Sequence, residues 1–157
     1  MKSERSKDSP DVISCPPMVF LSALVAGLLL YLLIPSPQFS SASLRITGML
    51  MAFAGTMIDV WGVCAFRRAG THVRPSRPVT ALVTCGPFRY TRNPFYIGQT
   101  IIYLGLTLFV GSLWPLVTLV PALAVVHWRI VRREEQFLES RFGEDYRAYK
   151  ARVNRWI

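Results

Sequence analysis

The sequence predicts an all-α integral membrane bundle of about four transmembrane helices, with a cytoplasmic loop and an amphipathic C-terminal helix. Three observations carry this. First, 52% of the 157 residues are hydrophobic and 17% are charged, against roughly 25% charged in an ordinary soluble domain. Second, the charges are segregated: between Val12 and Phe66 the only Asp, Glu, Lys or Arg residues are Arg45 and Asp59, and between Asn93 and Trp128 there are none. Third, 17 of the 18 Lys and Arg residues, all but Arg45, gather in three zones that an even number of membrane crossings brings to one side. The length allows one domain. A net charge of +9 beside a mean hydropathy of +0.33 does not suit a solvated nucleic-acid binder, and three cysteines do not make a disulfide scaffold.

Residues 1–15 form a polar N-terminal segment. The uncharged run 18–34 has 17 residues, about 25 Å as a helix. A signal peptide is its rival, because Ser40, Ser41 and Ala42 offer small residues for cleavage. The run exceeds the usual apolar core of such peptides and follows acidic Glu4, Asp8 and Asp11, which favours an anchored helix. Pro35 and Pro37 end it. A second span is expected over 46–66, where Gly48, Gly55 and Gly62 recur every seven residues and so share a face that a neighbouring helix can approach closely. Asp59 is the one acid in this span; it is either part of a polar site or a carboxylate bonded to a neighbouring helix. Residues 95–110 and 113–128 read as a helical hairpin about Gly111 and Ser112, with a kink expected at Pro121.

The basic residues set the orientation. Three lie in the N-terminal segment, six arginines and no acid lie between Arg67 and Arg92, and eight lie from Arg129 onward. Four helices with both termini cytoplasmic place all three zones inside. In the tail, 129–157, the helix is expected to run on into water. Beyond it Tyr146, Tyr149, Val153 and Trp156 recur at helical spacing, giving one apolar face that lies on the membrane surface or folds back over the loop.

The loop 67–94 is dense with fixed backbone, carrying Gly70, Pro75, Pro78, Gly86, Pro87 and Pro94 among aromatic side chains. That suits a formed site better than slack chain. The adjacent pair Glu134 and Glu135 stands across from it; neighbours on a helix point about 100° apart, so they do not form a shared-proton dyad. His72, His127, Cys15, Cys64 and Cys85 lack metal-ligand spacing, and no phosphate-loop, dinucleotide or nucleophile-elbow motif occurs.

The stretch AGTHVRPSRPVTALVTCGPFRYTRNPFYIGQ, Ala69 to Gln99, followed by RREEQFLESRFGEDYRAYKARV, Arg132 to Val153, resembles the isoprenylcysteine carboxyl methyltransferase and phospholipid methyltransferase superfamily of membrane enzymes. The resemblance covers the C-terminal half to two thirds of the chain. It rests on four elements in order: LVT-x-G-P-x-R-Y, R-x-P-x-Y opening a membrane helix, E-E-x-x-L, and F-G-x-x-Y-x-x-Y.

The resemblance implies a methyltransferase using S-adenosylmethionine. Its cofactor site would involve Leu82, Val83, Gly86, Phe88, Arg92, Asn93, Tyr96 and Glu134, with Glu135 either joining them or pairing with an arginine. A carboxylate such as Glu134 suits the cofactor's ribose or amine, and Arg92 suits its carboxylate. The implied acceptor is lipophilic and comes from the membrane lipids or a lipid-modified molecule; no nucleic-acid partner is implied. Many prenylcysteine enzymes have His where this chain has Asn93, and a functional arginine where it has Ile130. Arg129 or Arg133 would have to stand in, and Arg129 is the candidate for the acceptor. The substrate class, carboxylate, amine or thiol, stays open. The rival readings are an NADPH-dependent sterol-reductase-like enzyme and a small membrane scaffold.

Overall fold

The computed structural model describes residues 16–35, 37–39, 41–71 and 81–157; His72 and Cys15 lie outside these. All the regular structure among them is helical. Helix α1 is Pro16–Leu33, α2 Ala42–Arg68, α3 Pro94–Val110, α4 Trp114–Val125, α5 Arg132–Phe142 and α6 Glu144–Arg152. A 3₁₀ turn, Gly86–Arg89, precedes α3, and a π-turn, Val126–Val131, joins α4 to α5 in one rod.

Local chemistry explains the boundaries. Helix α2 starts four residues before the expected 46 because Ser41 accepts a hydrogen bond from the Leu44 amide at 3.2 Å and caps it. Pro94 opens α3 at a position where its missing N–H costs nothing. Gly111, at φ +71°, closes it in the left-handed conformation. Helix α4 does not stop at Trp128: the rod carries on through the π-turn into α5. Two helical rods, Ala42–Arg68 and Trp114–Phe142, are long and apolar enough to cross a membrane; α1 and α3 are shorter apolar helices.

The expected hairpin of residues 95–110 and 113–128 is not a packed pair. Helix α3 packs on α2 and α4 packs on α1, while α3 and α4 barely touch beyond their junction. The glycines decide this. A side chain on Gly48 would strike the Gly105 carbonyl at 2.5 Å, and one on Gly55 would strike the Gly98 carbonyl at 2.5 Å. So Gly98 and Gly105, also seven apart, answer the glycines of α2 in an antiparallel register and let the two backbones come close. Gly27 plays the same part for α1, where a Cβ would lie 2.6 Å from Pro115 Cα.

The bundle is apolar outside as well as inside: Leu33, Leu50, Phe53 and Val120 are exposed, while the central cluster is small and built on Phe20, Tyr103, Leu119, Val126 and Ile130. At one end the Phe39 amide bonds the Gly111 carbonyl at 3.0 Å and Trp114 Nε1 bonds the Ile34 carbonyl at 3.0 Å. The opposite, basic end holds the 3₁₀ turn, α5, α6 and the tail. There the expected amphipathic helix stops early. Tyr146 and Tyr149 are buried in α6, but the helix ends at Arg152, so Trp156 belongs to a folded-back strap rather than to a helical face.

Candidate active site

Two carboxylates from consecutive residues organise the basic end. Tyr96, in the first turn of α3, donates its hydroxyl to both oxygens of Glu134, each at 2.9 Å. Burial pushes the Glu134 carboxyl up from its ordinary 4.5 to about 7; the Tyr96 hydroxyl opposes the rise and the charge of Glu135 adds to it. Glu134 therefore holds or releases a proton near neutrality.

Glu135 faces the other way and is buried. Arg92 Nη1 lies 3.0 Å from its Oε1, and Arg155 grips both oxygens from Nε and Nη2 at 2.9 and 2.7 Å. That two-pronged bond raises the affinity of Arg155 for its proton. Arg155 in turn anchors the strap. Its carbonyl accepts from Thr91 Oγ1 at 3.1 Å and Asn93 Nδ2 at 2.9 Å, and the neighbouring Asn154 carbonyl accepts from the Arg92 amide at 3.0 Å.

The remaining expected cofactor residues lie toward α2. Gly86 sits at φ +62°, and a Cβ there would be 3.1 Å from that of Ala65, so only glycine fits the turn. Val83 and Phe88 are buried with Ala65 in an apolar cluster that Phe66 and Phe95 complete; Leu82 is half-buried. Tyr149 donates to the Phe88 carbonyl at 2.7 Å, and burial drives its hydroxyl well above the usual range. The structure thus brings together Tyr96 with Glu134, and Arg92 and Asn93 with the strap, while Val83 and Phe88 turn their side chains into the core. Arg129 is exposed on the π-turn.

Between the first turns of α3 and the end of α4 lies a partly open cleft of ≈450 Å³. Tyr96, Ile97, Thr100 and Ile101 form one wall, Leu123 and His127 the other. The strap's Trp156 and Ile157 complete the lining, with the Trp156 ring stacked on His127 at 5.8 Å. This cleft exists because α3 and α4 part company. Sequence reasoning missed Arg155, since nothing local distinguishes it from the seven other basic residues of the tail.

The residues fit an S-adenosyl cofactor. Arg92 Nε is buried with no hydrogen-bond acceptor among the described residues, which leaves a donor for a carboxylate. Glu134 offers an acceptor for an amine or ribose hydroxyl. No group of three His, Cys, Asp or Glu able to hold a metal occurs among the described residues.

Comparison with known proteins finds relatives and a family. The chain is 36% identical over 62 residues to an uncharacterised protein of Haemophilus influenzae, a match covering 40% of this chain and 98% of that one. It is 33% identical over 97 residues to the cobalt-zinc-cadmium resistance protein CzcN of Cupriavidus metallidurans, covering 62% of this chain and 41% of CzcN. With the nickel-cobalt-cadmium resistance protein NccN of Alcaligenes xylosoxydans xylosoxydans it shares 31% identity over 104 residues, 66% of this chain and 45% of NccN. The chain thus matches less than half the length of either resistance protein. No solved structure matches. The phospholipid methyltransferase family profile matches residues 44–145, from the first turn of α2 through the paired glutamates into α6, and the chain belongs to that family of membrane methyltransferases.

Proposed function

We propose that this protein transfers a methyl group from S-adenosylmethionine to a lipophilic acceptor that reaches the site sideways from the bilayer. The observation that carries the reading is the Tyr96–Glu134 pair standing at an apolar cleft open between two membrane helices. Ligand sites are mostly apolar with a few convergent polar groups, and this cleft has that character. Bound cofactor supplies an electrophilic methyl group on a sulfonium.

The chain's own residues bind, orient and exclude water. Arg92 Nε is the donor for the cofactor's carboxylate, and Glu134, fixed by Tyr96, accepts from its amine or ribose. The cleft walls hold the acceptor's chain and exclude water around the reacting atoms. A carboxylate or thiolate acceptor then needs positioning and desolvation alone. An amine acceptor must also lose a proton to a base.

In this reading the protein is multi-pass, with both termini and the loop 67–94 in the cytoplasm, so that the site meets cytosolic cofactor. The acceptor most resembles the lipid-modified substrates of the isoprenylcysteine enzymes, with a phospholipid amine as the second choice, supported by the family profile. Calorimetry of detergent-purified protein with S-adenosylhomocysteine and with NADPH tests the cofactor: binding of the first supports the reading, and binding of NADPH alone overturns it. Labelled methyl transfer in proteoliposomes, with a lipid extract, prenylcysteine, phosphatidylethanolamine and small thiols offered in parallel, tests the acceptor.

A further inference from the structure

The strap 153–157 is held more firmly than an extended segment outside helix and sheet usually is. Three donors from the turn before α3 fix the carbonyls of Asn154 and Arg155, and Glu135 grips the Arg155 guanidinium from α5. Glu135 is itself 7% exposed and also faces Arg92. Such a buried charge cluster is expensive to build and often contributes specificity rather than stability. What it positions is the next residue, Trp156, whose ring lies flat on His127 and forms one wall of the apolar cleft.

We infer that Trp156 is the surface on which an alkyl chain from the bilayer rests in the cleft, and that Glu135 is a positioning residue which holds it there through Arg155. The occupant is an alkyl chain because the lining offers it almost nothing polar: Thr100 spends its hydroxyl on the Tyr96 carbonyl, and Tyr96 spends its own on Glu134. The outer faces of α1, α2 and α4 are apolar as well, with Leu33, Leu50, Phe53 and Val120 exposed, so in a bilayer alkyl chains are the medium around the bundle. An indole wall with few rotatable bonds fixes the width of the cleft, so it sets which chains fit. The strap is then a part of the acceptor site. This rests on the lateral-entry reading above, but its test needs no methyl transfer.

The full chain is placed in nanodiscs whose phosphatidylcholine is brominated near the headgroup, and in nanodiscs of the ordinary lipid. Bromine quenches indole only at contact range. Subtracting the Trp156→Phe variant isolates Trp156 from Trp61, Trp114 and Trp128. Trp156 is expected to lose more than half its emission in the brominated lipid. Two variants separate cleft contact from ordinary exposure. Ile101→Phe, which fills the cleft, should restore the emission. Glu135→Gln should restore it too and shift it to the red, as the strap releases the ring into water, with helical circular dichroism unchanged. If Glu135→Gln lowers the helical signal, Arg155→Lys, which keeps the charge and loses the two-pronged grip, replaces it with the same expectation. An unquenched Trp156 overturns the proposal, and so does quenching that survives Ile101→Phe or the loss of the grip. Failure of S-adenosylhomocysteine to bind wild-type protein that still shows the quenching would sink the methyltransferase reading and leave this one standing.

Discussion

Glu134 gives the sharpest handle on the cofactor. Its carboxyl is held at about 7 against an ordinary 4.5, a difference worth about 3 kcal/mol against the charged form. In the free protein the folded state keeps its proton where the unfolded chain has lost it. Stability should therefore fall as pH rises from 4.5 to about 7, the window between the two values. A ligand ammonium beside Glu134 reverses the preference, so binding must expel the proton. At about pH 6, binding of S-adenosylhomocysteine should release close to one proton, read by calorimetry as a heat that depends on the buffer's own protonation enthalpy. Affinity should weaken up to about tenfold for each pH step below 7. Glu134→Gln should abolish the proton release. At about pH 8 it should weaken binding roughly ten- to a hundredfold, the value of one charge-assisted hydrogen bond at about 1.5 to 3 kcal/mol. At low pH the two proteins should converge. A wild-type affinity that ignores pH, or a mutant that still releases the proton, would refute the placement of Glu134 at the ligand.

Other consequences follow from the same geometry. Glu135→Ala leaves Arg92 and Arg155 facing each other without their shared anion, and should cost about 3 to 5 kcal/mol, seen as a lower melting temperature in detergent; an unchanged melting point would show the cluster is not buried in solution. Gly98→Ala pushes a methyl group against Asp59 and to 2.9 Å from the Gly55 carbonyl. An overpacking cost of about 1 to 3 kcal/mol is expected, whereas a neutral effect would mean that α2 and α3 are not so close. Cysteines at Ser41 and Ile157 should label from opposite sides of sealed vesicles with a membrane-impermeant maleimide; labelling from one side rules out four crossings. Shortening the acceptor's chain should lower kcat/KM about fourfold per methylene, from about 0.8 kcal/mol each, and a flat profile would point to a site open to the cytosol.

Much of this was readable from residue order. The seven-residue glycine spacing announced a close helix contact, and the separation of adjacent glutamates by about 100° anticipated one facing the site and the other an arginine or solvent. What could not be read was which helix answers those glycines. Gly98 and Gly105 share the spacing of Gly48 and Gly55, but a short loop between α3 and α4 made the neighbours in sequence look like neighbours in space. The end of α6 was hidden for a related reason: Val153 and Trp156 keep helical spacing with Tyr149, yet hydrogen bonds to a distant turn outcompete the helix. Long-range partners leave no local trace.

The π-turn has a consequence for how this site varies between related chains. Widening one turn by a residue turns everything beyond it by about 100° about the rod, which is also the angle between one glutamate and the next. Removing a single residue from 126–131 would tighten the turn to an ordinary α-helix and rotate the pair by one place, offering a different neighbour to Tyr96 and to the arginines. The division of labour between Glu134 and Glu135 is thus a matter of phase. A one-residue gap in this stretch of a relative would reassign the two roles with neither glutamate mutated, and an alignment that slides across the gap would pair residues that do different work.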